Sequence, residues 1–125
     1  MCGISGYISN NKKISREDFI RTTNAMHHRG PDAEGFYENE NQSVMLGHKR
    51  LSIIDLSPAS NQPFFSSCGR YVIVYNGELY NYREIREQLQ LQTRTTGDTE
   101  VILEAYVKAG VQSFALLNGM FAFII

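Results

Sequence analysis

A cysteine stands second in the run Met1-Cys2-Gly3-Ile4-Ser5. Loss of Met1, which a small second side chain permits, would put a thiol and a free α-amine on one residue. Free α-amines titrate at about 7.7–8.0 and thiols at about 8.5, so near neutral pH the amine can take the thiol proton, directly or through a water. Such a residue carries nucleophile and base together, as N-terminal threonine nucleophiles do. Taken alone, Cys2 reads as an arbitrary second residue, and the rest of the chain must decide.

Three other places offer matching chemistry. Asn76-Gly77 follows an apolar run and alone reads as a hairpin turn, since Asn-Gly is the favoured turn dipeptide. Its functional reading is an oxyanion hole, with an Asn amide and a backbone N–H aimed at one developing negative oxygen. Arg50 closes the run His48-Lys49-Arg50 and reads either as a solvated surface arginine or as a bidentate clamp on a carboxylate. Asp98 reads either as a helix N-cap or as the partner of a substrate ammonium. His28-Arg29-Gly30-Pro31-Asp32 is a punctuated loop whose polar density also suits the lining of a site. Cys68, between Ser67 and Gly69, reads as an inert or partly buried thiol.

The elements that must position these groups can be read from periodicity. Gly3 to Ser9 predicts a strand that turns at Asn10-Asn11. Ser15 with Asp18 predicts a capping box opening a helix, with Phe19, Thr23 and Met26 on one face and an end near His27. Strands follow at 35–37 and 43–51 around Asn39-Glu40-Asn41, and 57–69 reads as an ordered loop. Tyr71 to Tyr75 is apolar on both faces and predicts a central strand. Asn81 with Glu84, and then Asp98, predict capped helices, the second ending at Gly110. A short helix over 112–117 and a strand over 120–125 complete the chain. Strands early and helices late favour α+β with mainly antiparallel sheet.

Composition sets bounds. The 125 residues suit one domain, with 42% hydrophobic and 20% charged residues, as in a globular chain. A net charge of −1 gives no case for nucleic acid or an anionic membrane as partner. Apolar runs are too short to span a bilayer and no signal pattern opens the chain, so it reads as cytoplasmic, with Cys2 and Cys68 as free thiols. No His/Cys cluster suggests a metal site.

In order, Met1 to Gly6, His28 to Asp32, Arg50-Leu51-Ser52-Ile53-Ile54-Asp55, Gln62-Pro63, Asn76-Gly77-Glu78-Leu79-Tyr80-Asn81, Thr96-Gly97-Asp98-Thr99-Glu100-Val101-Ile102 and Asn118 to Phe123 resemble the motif series of class II glutamine amidotransferases. The match is closest to the glutaminase domain of glutamine-hydrolysing asparagine synthetases. The resemblance implies an N-terminal-nucleophile hydrolase fold, a four-layer α-β-β-α sandwich of antiparallel sheets. It implies Cys2 as nucleophile, Asn76 and Gly77 as oxyanion hole, Arg50 on the glutamine α-carboxylate and Asp98 on its α-ammonium. Backbone groups of Leu51, Ser52, Ile53, Ile54 and Glu78 would complete the pocket. L-glutamine would be the substrate, hydrolysed without metal or cofactor. ATP and Mg would belong to a synthetase domain that is not among residues 1–125. The apolar final strand suggests a truncated domain, with a homodimer possible. Two alternatives are a catalytically silent truncated folding or interaction module, and the glutaminase part of an enzyme amidating a β-lactam, sugar or peptide.

Overall fold

A computed structural model describes residues 1–11, 14–53 and 56–125. Its first sheet has three antiparallel strands, β1 (Gly3–Ile8), β2 (Ala33–Glu38) and β3 (Val44–Arg50), with β3 central. Gly3 faces Lys49 and Ala33 faces Arg50, so the chain start and the end of β3 share one edge of the sheet. The turn between β2 and β3 is held by Asn39, whose Oδ1 accepts from Val44 N at 3.0 Å while its Nδ2 donates to Ser43 Oγ. Between β1 and β2 runs α1 (Arg16–Asn24). Ser15 caps it as expected, its Oγ accepting from Asp18 N at 3.0 Å. The helix ends at Asn24 rather than near His27, and a 3-10 turn follows over His27–Arg29.

The second sheet holds β4 (Phe64–Phe65), β5 (Val72–Leu79) and β6 (Gly119–Ile124), again antiparallel, with β5 central. β4 lies inside the stretch read as loop; two residues leave no alternation to detect, and pairing with Ile73 and Val72 decides them. Asn76-Gly77 is not a hairpin turn. β5 runs straight through it to Leu79, because β6 pairs along its whole length. Gly77 faces Phe121 so closely that a Cβ there would lie 2.6 Å from the Phe121 Cα and overlap the Met120 carbonyl. A close backbone approach, not a turn, is what the glycine serves.

Two short elements and a longer helix cover the second sheet: α2 (Tyr82–Gln88), α3 (Asp98–Ala109) and a 3-10 segment over Gly110–Leu116. Gly110 ends α3 at φ 60°, a left-handed conformation that favours glycine. Two expected caps are absent. Asn81 stands at the N-cap of α2, but its side chain donates to Leu116 O at 2.9 Å and accepts from Asn118 N at 3.0 Å. At α3 the N-cap is Gly97, and Asp98 is the first helical residue.

The layers run α1, first sheet, second sheet, then α2 with α3. Gly47 and Ser5 face α1, where Ser5 Oγ meets Thr23 Oγ1 at 2.7 Å. The alternate residues Gly6 and Leu46 face β6, with Ile124 against Gly6. On the far side, Ile73, Tyr75 and Leu79 of β5 pack on Ile85, Val101, Ile102 and Ala105. Burying side chains of this size stabilises by about 1.5–3 kcal/mol each, so this half carries the main core. Among the described residues no helix is long and apolar enough to cross a membrane.

Candidate functional site

Cys2 sits one residue before β1, at the edge where β3 ends. Its Sγ accepts from Leu51 N at 3.3 Å and lies 3.6 Å from Leu51 O, which it can donate to. The loop after α1 braces this corner. Arg29 Nε donates to Cys2 O at 3.0 Å, Asp32 N donates to Arg50 O at 3.0 Å, and Asp32 Oδ2 accepts from Ser52 N at 2.8 Å. Gly30 passes so close to the Lys49 and Arg50 backbone that a side chain would overlap it. Residues 28–32 therefore tie the ends of β1 and β3 together; none of them lines the cavity described below.

Arg50 is not a solvated arginine. It is 7% exposed, and its Nη1 donates to Ser57 O at 2.9 Å and to Asn61 Oδ1 at 2.6 Å. Both acceptors flank a 3-10 turn over Pro58–Ser60, whose cap Ser57 Oγ accepts from Ala59 N.

Asp98 is 6% exposed. Its Oδ2 accepts from Tyr75 OH at 2.7 Å and from Leu79 N at 3.0 Å, while Oδ1 has no protein hydrogen bond among the described residues. Burial and the neighbouring Asp98 carboxylate push the Tyr75 phenol well above its ordinary range, so it remains a donor. Gln62 joins the same two elements: its Oε1 accepts from Tyr75 N at 2.6 Å and its Nε2 donates to Thr99 Oγ1 at 3.3 Å. The approach to α3 is fixed by Glu100, whose carboxylate accepts from the backbone N–H groups of Arg94 and Thr95 and from both their side chains. Burial alone would raise that carboxyl; these hydrogen bonds outweigh it and hold it below the usual value.

His48 is fully buried between the sheets, and burial lowers it to about 4, with the Arg50 charge adding to the shift. It is thus neutral at pH 7. Its Nε2 lies 3.2 Å from Tyr75 O, which can only accept, so Nε2 carries the proton. Nδ1 is buried without a hydrogen-bond partner among the described residues.

One cavity of about 150 Å³ gathers most of these groups. Cys2, Arg50, Asn76, Gly77 and Asp98 all line it, with Leu51, Ile53, Glu78, Gln62, Tyr75 and Met1. Asn76 Oδ1 is buried with no hydrogen-bond partner among the described residues. Ser52 does not line the cavity, its N–H being spent on Asp32, and Ile54 lies outside the described residues. Cys68 is away from it and exposed rather than buried; a hydrogen bond with Ser66 lowers its thiol pKa. Sequence reasoning missed Asn61, Tyr75 and the tie made by Gln62. Only Gln62-Pro63 stood in a quoted motif, and the partners of all three lie far along the chain.

The cavity is small, on the scale of those that hold ligands the size of benzene, and its lining includes both a carboxylate, Asp98, and a guanidinium, Arg50. A family model described as glutamine amidotransferase domain matches residues 1–125. The chain is 42% identical to "Putative asparagine synthetase (glutamine-hydrolyzing) 2" of Methanocaldococcus jannaschii, covering 100% of this chain and 27% of that protein. It is 39% identical to glutamine-hydrolysing asparagine synthetase 1 of Bacillus subtilis, covering all of this chain and 20% of that one. It is 38% identical to the amidase chry2 of Gibberella zeae, covering all of this chain and 21% of that one. The chain thus spans about a fifth to a quarter of the length of these relatives.

Proposed function

The chain belongs to the glutamine amidotransferase domain family, whose members here include glutamine-hydrolysing asparagine synthetases, and on that premise we propose that it hydrolyses L-glutamine to glutamate and ammonia through a thioester on Cys2. The observation that carries the reading is the single cavity lined by Cys2, Arg50, Asn76, Gly77 and Asp98. These are a nucleophile, an anion clamp, oxyanion donors and an anion for the ammonium, drawn from both sheets and α3.

The steps follow from the residue chemistry. Removal of Met1, which lines the cavity beside Cys2, frees the Cys2 α-amine as base. Arg50 takes the substrate α-carboxylate and Asp98 Oδ1 its α-ammonium, leaving the side-chain amide to reach Cys2. The thiol gives its proton to the α-amine, and the sulfur attacks the amide carbon. The tetrahedral oxyanion rests on the Asn76 amide and the Gly77 N–H. Donors of this kind contribute roughly 2.7–4 kcal/mol to the transition state. The amine returns the proton to the leaving nitrogen, ammonia departs, and water then attacks the γ-glutamyl thioester to release glutamate. Backbone groups of Leu51, Ile53 and Glu78 close the walls. The two facing sheets between helix layers fit the N-terminal-nucleophile hydrolase class.

The ammonia is proposed to pass to an ATP-dependent asparagine synthetase domain, which would hold ATP and Mg. The cavity described is too small for a nucleoside triphosphate, and no glycine-rich phosphate loop occurs in these residues. A cytoplasmic setting and a homodimer belong to the same reading. A second reading keeps the hydrolysis and changes the acceptor, and the equal coverage of a fungal amidase favours it. Aspartate amidation with ATP by the full-length protein separates the two.

The test is Cys2→Ala with labelling of the native chain by a glutamine-like electrophile. The variant loses glutamate release while remaining folded, and the native chain takes one label, on Cys2. Glutaminase activity in Cys2→Ala would sink the mechanism.

A further inference from the structure

We propose that Asn61 is a positioning residue that sets the Arg50 guanidinium for a substrate α-carboxylate, and so makes the cavity select amino acids whose carboxyl is free. The inference rests on the proposed glutaminase reading and deepens its carboxylate subsite.

Arg50 comes from the last position of β3, and its backbone is fixed by pairing with Ala33 and by the Asp32 N–H. The long side chain still has several rotamers, and bidentate recognition of a carboxylate needs the guanidinium plane in one orientation. The short turn over Pro58–Ser60 supplies that constraint. Ser57 O stands at its start and Asn61 Oδ1 at its end, and both accept from the same nitrogen, Nη1. Asn61 N donates to Pro58 O, so the turn itself holds the second acceptor in place. Two acceptors on one terminal nitrogen fix the rotation of a planar group. The Asn61 contact is the shorter, at 2.6 Å, and the only one of the two made by a side chain.

The choice of an amide has an electrostatic meaning. An amide oxygen holds Nη1 without bringing a negative charge to the anion site. A carboxylate at position 61 would make the same hydrogen bond and repel the substrate carboxylate. Asn61 itself is not among the cavity-lining residues, so it acts through Arg50 and does not touch substrate.

The experiment measures ammonia release by the full-length protein from L-glutamine and from L-glutaminamide, in which the α-carboxylate is replaced by a neutral amide. The unmodified protein prefers glutamine; no preference would overturn the carboxylate role of Arg50 and the inference built on it. Given that preference, Asn61→Ala raises KM for glutamine about tenfold, the scale of one hydrogen bond to a charged group, with kcat little changed and glutaminamide kinetics unmoved. Asn61→Asp, isosteric with the native residue and so accommodated by the same turn, raises the glutamine KM further and leaves glutaminamide unmoved. Equal losses on both substrates in both variants, or an unchanged glutamine KM in both, would overturn the inference while leaving the glutaminase reading intact.

Discussion

The Tyr75 hydroxyl donates a 2.7 Å hydrogen bond to Asp98 Oδ2, joining the middle of β5 to the first residue of α3. Leu79 N binds the same oxygen, so the carboxylate is held from one side and Oδ1 is left for the cavity. The burial that keeps Tyr75 protonated also keeps it a donor throughout the neutral range. Tyr75→Phe therefore raises KM for glutamine about tenfold, as loss of a hydrogen bond to a charged group implies, with a small effect on kcat. Steady-state kinetics check it; an unchanged KM would remove Tyr75 from substrate binding.

In the proposed mechanism Asn76 acts on the transition state rather than on the ground state. Asn76→Ala lowers kcat by about 10²–10³ and leaves KM nearly unchanged. A variant that lost affinity instead, with kcat preserved, would assign Asn76 to substrate binding.

His48 gives the fold a pH dependence. The unfolded chain takes up a proton on this ring near pH 6.5, and the folded chain only near 4. Between those values the unfolded state binds more protons, so stability falls as pH drops from about 6.5 towards 4. The loss is at most about 1.4 kcal/mol per pH unit. In His48→Gln, urea unfolding at pH 7 and pH 5 shows a smaller difference than in the native protein. An equal difference in both would show that other groups set the acid sensitivity.

Glu100 is a structural carboxylate whose hydrogen bonds lock residues 94–95 ahead of Asp98. Its depressed pKa means that this support is full above the ordinary carboxylate range and is lost as pH falls through the folded value. Glu100→Gln removes the charge and one acceptor and costs about 2 kcal/mol, read as a lowered denaturation midpoint at pH 7. A midpoint within error of the native one would show that the loop holds itself.

What the sequence disclosed follows the range of the interactions. The Ser15 cap is local and was legible, because its partner is Asp18. Asn81 and Asp98 have the same capping chemistry, yet distant partners take their side chains: Leu116 and Asn118 for one, Tyr75 and Leu79 for the other. Asn76-Gly77 has turn statistics, but the backbone of β6 lies alongside and keeps it extended. Arg50 carries a charge that suggests the surface, yet it is buried with acceptors on the 57–61 turn against its guanidinium. Residue types at the site could thus be read from the chain, while the acceptors that orient them could not.

Cys2 and Arg50 are rooted in the first sheet, Asn76 and Gly77 in the second, and Asp98 in the helix packed on the second. Facing sheets stand about 10 Å apart, so the seam between them works as a calliper whose opening fixes the length of molecule that can bridge its jaws. The His48 contact to Tyr75 O crosses that seam. Substitutions there would regauge the instrument, changing which homologue of glutamine fits between jaws that are themselves untouched.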